Sequence, residues 1–376
     1  MKKAVLGLLL SVTTMVVTGV VMLFSTGAFA QDAHGDPFFF VKRQLMWLAV
    51  GLVACCVGAC VEYQFWQKTW KYWFGVAIVL LVLCFFTHKI NGSHRWLKLG
   101  GFSFQPSEIG KLAAVAFLAA WFAEQKEKSR EFLKGVLFPL LIVGVLMGLI
   151  AKEPDLGTTA LIGGTAFLVL FIAGVRLYYL LPMPALGVGG ILFIAYKIPE
   201  RVSRLIAFRD LEKYKEGAGG QQYNGLIALG SGGVEGLGLG NGRQKMQFLP
   251  FAHTDFIFPM IGEELGLRFT LLIVFCYVLM IICGVAIALN SRDRFGMLFG
   301  FGIVVMFALQ AALNIGVTTA VLPNKGITLP FISYGGSSLV FCLLGVGILL
   351  NIYRQGISER TVRVKMKHSP GGTPRI

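Results

Sequence analysis

The chain has 376 residues, of which 56% are hydrophobic and only 14% are charged, and its formal net charge is +15. A soluble protein of this length would carry roughly a quarter charged residues, so a soluble globular class is excluded. The basic surplus does not indicate nucleic-acid binding, because Lys and Arg lie between apolar blocks and no recognition motif accompanies them.

The first apolar block, 4–24, follows Lys2 and Lys3. The residues Ala-Phe-Ala at 28–30 would suit a signal-peptidase site. However, the block has about 21 residues, whereas the apolar core of a signal peptide has roughly 7–15. The sequence therefore predicts an uncleaved first spanning helix.

Nine further apolar blocks follow, so the chain is predicted to be an all-α polytopic membrane protein. The ten predicted spans are 4–24, 44–61, 71–87, 107–123, 134–150, 157–174, 177–196, 259–289, 296–322 and 335–353. They form one transmembrane domain over 1–353, followed by a basic tail at 354–376.

The charge of the short connections predicts the orientation of these spans. The side of the membrane that holds Met1 carries 17 Lys and Arg residues, and the short loops on the other side carry seven. Positive charge marks the cytoplasmic side, so both termini are predicted to be cytoplasmic. The loops 88–106, 151–156 and 323–334 and a large loop, 198–258, are then external.

The first polar motif in chain order is "SHRWLKLGGFSFQPSEIGKLA", which leads into the fourth span. Glu108 and Lys111 are one helical turn apart and able to pair. A buried pair would order the helix, whereas intramembrane ions also mark functional sites, and the residues alone leave both interpretations open.

The segment "AKEPDLGTT" places Glu153 and Asp155 in a short external turn. Two outward-facing acids are suitable oxygen ligands for a divalent cation such as Mg²⁺ or Mn²⁺. Helix capping by Asp155 is an equal alternative. The seven cysteines lie in apolar blocks without CxxC pairs, which favours buried hydrophobic roles over disulfides or metal.

The large external loop opens with an amphipathic pattern, "PERVSRLIAFRDLEKY", that suits either a helix on the membrane surface or an ordinary packed helix. Farther along, "ALGSGGVEGLGLGNGRQK" is rich in glycine and lacks the Walker ending, so nucleotide binding is disfavoured. Its backbone amides, with the cations Arg243 and Lys245, are candidates for holding phosphate oxygens. A flexible loop is the alternative.

Asp255, in "FAHTDFIFPMIGEELG", is the sharpest candidate. An acid flanked by aromatic residues at the mouth of a span is costly to desolvate, so it is either a functional base or a helix cap. His253 and Thr254 are its polar neighbours. The last motif, "NIGVTTAVLPNKGITLPFISYGGSS", adds Lys325 as an anion contact and Ser333 as a polar contact or cap.

Taken together, these segments resemble the signature motifs of the SEDS family (shape, elongation, division and sporulation proteins). Five of them, "RWLKLGGFSFQPSEIGKLA", "EPDLGTT", "ALGSGG", "FAHTDFIFPMIGEELG" and "NIGVTTAVLPNKGITLPFISYGGSS", follow in the family's order over about residues 90 to 353. The wording of the last two is more similar to the division branch than to the elongation branch.

The resemblance implies ten spanning helices in the bacterial cytoplasmic membrane, at the division septum for that branch. It also implies polymerisation of lipid II into glycan strands, with no organic cofactor. The implied partners are a class B penicillin-binding protein and other division proteins. By motif, the family's essential acid is Asp255. The division branch usually has Glu where this chain has Phe251, so that Glu is not required here or its role has moved.

The residues fit this chemistry independently of the resemblance to the family. One carboxylate, Asp255, suffices as a general base for an acceptor hydroxyl. Arg243, Lys245 and Lys325 would stabilise the departing pyrophosphate, with His253, Thr254 and Ser333 completing the substrate contacts. Arg95 and Lys98 are the next candidates for the pyrophosphate. The alternatives are a lipid II flippase and a non-catalytic division scaffold.

Overall fold

A computed structural model of the protein describes residues 2–27, 36, 38–87, 93–99, 102–124, 127–246, 248–249 and 252–367. Within these ranges the chain forms thirteen α-helices and one short β-hairpin. The helices are α1 (Lys2–Gly27), α2 (Phe39–Cys60), α3 (Tyr63–Cys84), α4 (Pro106–Glu124), α5 (Phe138–Lys152), α6 (Leu156–Ile172), α7 (Leu177–Leu180), α8 (Pro182–Tyr196), α9 (Pro199–Ala207), α10 (Gly220–Gly232), α11 (Ile257–Leu289), α12 (Arg294–Thr318) and α13 (Gly336–Lys367). A π-helical turn, Leu133–Leu137, leads into α5.

The predicted all-α membrane architecture is confirmed. Eight helical segments of the described chain are long and apolar enough to cross a membrane. Two more helices, α3 and α6, occupy the predicted spans 71–87 and 157–174. The exact number of spans and the cytoplasmic placement of the termini stay predictions.

Every side chain of helix α4 from Leu112 to Ala120 is buried, which shows that this helix lies at the centre of the bundle. It packs against α3, α5, α6 and α12. Its many alanines, such as Ala113 and Ala116, allow neighbouring helix backbones to approach closely, which is how helices associate in lipid. Helices α2 and α13 form a second extensive contact.

The predicted span 259–289 is not one continuous helix. Gly266 has φ +77° and ψ −179°, so α11 consists of a short first helix and a long second helix that meet at this residue. A side chain at Gly266 would meet the backbone of Val234 and Gly236 at 2.5 Å. Glycine is therefore required both for the backbone angle and for the close approach of the glycine-rich segment.

The loop 198–258, predicted to be external, contains two helices, of which the sequence predicted only the first. Its first part forms α9, and its middle forms α10, which packs against α11. The segment before α4 adds the hairpin of β1 (Leu97–Leu99) and β2 (Phe102–Phe104). Residues from all four predicted external loops line one cleft, so these loops lie at the same end of the bundle.

Candidate active site

A cleft of about 120 Å³ opens where the four loops meet. The loop before α4, the α5–α6 turn, helix α9 and the α12–α13 loop each line it, together with Leu192 of α8. Five of the lining residues are charged: Arg95, Asp155, Arg201, Arg204 and Lys325. Four cations against one acid make this cleft suitable for an anionic ligand.

Asp255 lies beside this cleft, immediately before α11. A side chain placed on Gly326, which lines the cleft, would meet Oδ2 of Asp255 at 2.7 Å. The cap of α11 is Phe256, with no side-chain hydrogen bond, so Asp255 does not cap this helix. Its half-buried carboxylate is thus available to the cleft.

The electrostatic surroundings of Asp255 favour a base that works near neutral pH. Burial raises the pKa of its carboxyl from 3.8 to about 6, the Arg95 and Arg204 charges lower it, and Asp155 raises it. A base is most effective when its pKa lies near the operating pH. At pH 7 this carboxylate is mostly ionised and still able to accept a proton.

The residues around Asp255 fix its main chain. Ser333 Oγ donates to the carbonyl oxygen of Thr254 at 2.6 Å, and the amide of Tyr334 donates to the carbonyl oxygen of His253 at 3.0 Å. The His253 ring is buried and lies 4.3 Å from the ring of Phe40, centroid to centroid. These contacts give the predicted substrate-binding residues His253, Thr254 and Ser333 an observed structural role, and their contact with substrate stays a prediction.

Two of the cations in the cleft, Arg201 and Arg204, were not among the predicted site residues. Both project from α9, three residues apart and therefore on one helical face. Arg201 and Arg95 each donate to the carbonyl oxygen of Pro154. The sequence signal for these two arginines was the amphipathic pattern of 199–209. It places arginines along a helix in a loop that is predicted to be external.

Of the three first-choice phosphate contacts, Arg243, Lys245 and Lys325, only Lys325 lines the cleft. Burial and the nearby Arg201 charge lower the pKa of its ammonium group, and Asp155 raises it. An anion entering the cleft would relieve this mutual repulsion of cations. Arg95, a second-choice candidate from the sequence, also lines the cleft.

Arg243 and Lys245 are not among the residues that line the cleft. Lys245 is buried and its Nζ contacts Glu264 Oε1 at 2.6 Å, Ser25 Oγ at 2.7 Å and the Gly240 carbonyl oxygen at 2.7 Å. The main-chain amide of Arg243 donates to Glu263 Oε1 at 2.7 Å. The grouping of these two residues with Lys325 around one pyrophosphate stays a prediction.

The glycine-rich segment cradles carboxylates of its own chain. The amide of Gly240 donates to Glu264 Oε2 at 2.9 Å, and that of Gln244 donates to Glu263 Oε1 at 3.2 Å. Successive backbone amides do form an anion site here, as the composition indicated. The anions are two glutamates of α11.

Glu153 and Asp155 are both buried beside the cleft. Asp155 caps α6: its carboxylate accepts from the Thr158 amide at 3.0 Å and from the Thr158 hydroxyl at 2.9 Å. Burial and Asp155 raise the pKa of Glu153 to about 8, and Arg95 opposes the shift. A protonated acid is a poor metal ligand. No group of three or more His, Cys, Asp or Glu suited to a metal occurs within the described residues.

Glu108 and Lys111 form a buried ion pair with an N–O distance of 2.9 Å. Lys111 also donates to Gln310 Oε1 at 2.9 Å, so the pair connects α4 with α12. Two residues named from the sequence cannot be placed. The Lys98 side chain and Phe251 lie outside the part of the chain that is described.

Comparison with known proteins identifies the family. The model of the FtsW/RodA/SpoVE family, described as a cell cycle protein family, matches residues 6–357. The chain is 38% identical over 354 residues to a Geobacter metallireducens protein named "Probable peptidoglycan glycosyltransferase FtsW", covering 92% of this chain and 93% of the relative. It is also 38% identical over 359 residues to stage V sporulation protein E of Bacillus subtilis, covering 92% and 96%.

The fold agrees with a solved structure. A chain from a peptidoglycan synthase complex, studied for the coordination of polymerization and crosslinking, superposes with a TM-score of 0.77 and 26% identity. The match covers 93% of this chain and 97% of the other. A family model over nearly the whole chain, close relatives and a common fold agree, and the chain belongs to the FtsW/RodA/SpoVE family of cell cycle proteins.

Proposed function

We propose that this protein is a peptidoglycan glycosyltransferase that polymerises lipid II into β(1→4)-linked glycan strands, with Asp255 as its general base. The names of its relatives support the activity. The observation that carries the assignment of the site is the cleft itself. Four cations line one small cavity, and a carboxylate with a pKa of about 6 lies beside it.

The reaction joins the hydroxyl of an acceptor sugar to the anomeric carbon of a donor sugar linked to a lipid pyrophosphate. The acceptor oxygen forms the new bond while the bond from the anomeric carbon to the pyrophosphate oxygen breaks. The hydroxyl proton passes to Asp255, and the electron pair of the broken bond leaves with the pyrophosphate. Displacement from the opposite face inverts an α-linked donor to a β-linked product.

The cations of the cleft suit the leaving group. Charge on the pyrophosphate grows as the glycosidic bond breaks, so groups that meet this charge stabilise the transition state more than the bound substrate. Arg95, Arg201, Arg204 and Lys325 converge on the cleft from three separate segments. Guanidinium groups are well matched to phosphate oxygens because they donate two parallel hydrogen bonds.

Partners, location and metal belong to the same proposal. The structural relative is part of a peptidoglycan synthase complex, which supports a partnership with a class B penicillin-binding protein transpeptidase and with other division proteins. The cytoplasmic membrane at the septum is the expected location. A divalent cation would be held by Asp155 at the cleft rather than by Glu153, whose raised pKa keeps it protonated near neutral pH.

Replacing the base tests the assignment directly. Asp255→Asn keeps the shape of the side chain and removes its ability to accept a proton, so we expect polymerisation of labelled lipid II to fall by about 10²–10⁴-fold. Lipid II binding and the thermal unfolding midpoint should stay near wild type. Asp210→Asn, an exposed acid on the same external loop, is the matched control and should remain active. Near-wild-type turnover by folded Asp255→Asn protein would refute the assignment.

A further inference from the structure

Asn314 lies in the last turns of α12, with only 1% of its surface exposed. Its Nδ2 donates to the carbonyl oxygen of Asp255 at 2.8 Å and to the carbonyl oxygen of Ile327 at 2.6 Å. One amide group therefore joins the segment that carries the base to the loop that lines the cleft. Its Oδ1 has no hydrogen-bond partner within the described residues, so the group serves here as a donor.

A second amide one turn earlier in α12 makes a related but different contact. Gln310 Nε2 donates to the carbonyl oxygen of Thr328 at 3.0 Å, and its Oε1 accepts from Lys111. Gln310 thus anchors the α12–α13 loop to the bundle. Asn314 alone of these two amides also holds the residue that carries the carboxylate.

Gly326 provides the space for that carboxylate. It directly precedes Ile327, and a Cβ at this position would lie 2.7 Å from Asp255 Oδ2, well inside van der Waals contact. The backbone at Gly326 does not adopt a left-handed angle. An alanine here would therefore act mainly through its methyl group, and not through backbone strain.

We propose that Asn314 is a positioning residue for glycosyl transfer, and that it holds the Asp255 carboxylate in the space left open by Gly326 at the edge of the cationic cleft. The inference rests on the proposed role of Asp255. Two hydrogen bonds from a buried donor fix the distance between the Asp255 main chain and residue 327. The carboxylate, one side chain away, then has a defined place next to Gly326.

The first test replaces Asn314 with a residue of similar shape. Asn314→Leu removes both hydrogen bonds, and a misplacement of about 1 Å in a reacting group lowers turnover on the order of 10- to 100-fold. We expect kcat for labelled lipid II to fall by that amount in the purified full-length protein, with KM changed by less than about threefold. Substrate binding depends on the cations, which the substitution leaves in place.

Asn351→Leu is the matched control. Asn351 is also fully buried, and it bonds the backbone at two positions: Nδ2 donates to the Ala59 carbonyl oxygen, and Oδ1 accepts from the Tyr63 amide. It lies near the opposite ends of the helices. If Asn314 were only structural, the two variants would lose thermal stability and kcat in parallel, and the proposal would be wrong.

Gly326→Ala keeps the test decisive if Asn314→Leu does not fold. Its methyl group should displace the carboxylate and lower kcat in the same range with KM retained, whereas Gly148→Ala, in an open part of α5, should change neither. Wild-type kcat in folded Gly326→Ala protein would overturn the proposal. If Asp255→Asn is inactive but both positioning variants are normal, only this inference fails. If Asp255→Asn is active, the assignment of the base fails instead.

Discussion

The carboxylate of Asp255, the proposed base, illustrates how a membrane enzyme can keep a charged acid side chain at low cost. The group is half-buried, and burial raises its pKa, yet Arg95 and Arg204 limit the rise. Complete burial without cations would leave the acid protonated and useless as a base. Free exposure would return its pKa to the ordinary range, where it would be too weak a base. The observed balance lies between these limits.

The pH dependence of turnover follows from this balance. Because the base must be ionised, kcat/KM should rise with pH through a midpoint near 6 and then level off. Arg204→Gln removes a charge that lowers the pKa, so the midpoint should move to higher pH. The measurement is lipid II polymerisation between pH 5 and 8 with both proteins. A midpoint that is the same in both would show that another group controls the rate.

Glu153 makes a separate prediction, about stability. Its folded-state pKa of about 8 lies above the ordinary value of 4.5, so between these limits the folded protein holds a proton that the unfolded chain releases. The free energy of unfolding is therefore highest at low pH. It falls as the pH rises from about 4.5 to 8, by at most about 5 kcal/mol in total. Glu153→Gln removes this loss.

The test of Glu153 compares thermal unfolding midpoints at pH 6 and pH 8.5. The advantage of Glu153→Gln over wild type should be larger at pH 8.5. Asp155→Ala provides a contrast, since it removes a helix cap and should destabilise the protein at both pH values. An advantage of Glu153→Gln that does not change with pH would contradict the assigned protonation state.

At the scale of elements, the break in α11 organises the glycine-rich segment. Glu263 and Glu264 end the short first helix, and Gly266 turns the chain into the second. Lys245, at the end of the glycine-rich segment, forms an ion pair with Glu264 and also donates a hydrogen bond to Ser25 of α1. One buried ion pair thereby ties three parts of the chain together.

Two lysines in different elements should behave in opposite ways. Lys245→Gln leaves Glu264 buried without its cation, and such a loss typically costs ~3–5 kcal/mol. Lys325→Gln removes a charge that neighbouring cations repel, so folding should be retained while kcat falls more than apparent affinity. Thermal unfolding and polymerisation, measured on both variants, separate the roles. If Lys245→Gln kept full thermal stability but lost kcat, Lys245 would act in the reaction and would have to be counted among the site residues.

The sequence predicted the helices well where hydropathy is the dominant signal. The predicted span 107–123 corresponds closely to the observed helix α4, Pro106–Glu124. Each of the ten predicted apolar blocks is largely helical. The predicted end of 296–322 was wrong, because the amides of Val321 and Leu322 fold back onto the Gly316 carbonyl oxygen and α12 stops at Thr318. Hydropathy cannot detect such a turn, since the turn residues are apolar as well.

The site was predicted less completely, for a related reason. Asp255 and Lys325 are marked by polarity in an apolar context, which sequence reading detects. Arg201 and Arg204 look like the charged face of a surface helix until α9 is seen to line the cleft. Lys245 and Lys325 are equally basic in sequence, and only tertiary contacts show that one of them already has a buried carboxylate partner.

At the scale of the whole molecule, the two ends of the helical bundle differ in chemistry. The cleft end carries the start of α6, the end of α12 and the external loops. The other end is held together by hydrogen bonds that include a basic group: Tyr63 Oη donates to Asp293 Oδ2 at 3.0 Å, the Tyr63 amide donates to Asn351 Oδ1 at 3.0 Å, and Arg294 donates to the Ala173 carbonyl oxygen at 2.7 Å. The cleft end is where a substrate head group would meet the enzyme.

The orientation of these ends is the last prediction. The excess of Lys and Arg on the side of Met1 predicts that the cleft faces away from the cytoplasm. A single cysteine introduced by Glu216→Cys, exposed on the loop that carries α9, should react with a membrane-impermeant maleimide in intact cells. Lys68→Cys, exposed near the start of α3, should react only after the membrane is opened.

The seven native cysteines require a baseline, and Cys56 and Cys60 are the exposed ones within the described chain. The unmodified protein, labelled under the same conditions, supplies that baseline, and full labelling of both variants in detergent shows that each new cysteine is reactive. Labelling of residue 68 but not 216 in intact cells would invert the topology. The cleft would then face the cytoplasm, where it could not add sugars to a strand growing outside, and the proposed glycosyltransferase site would have to be abandoned.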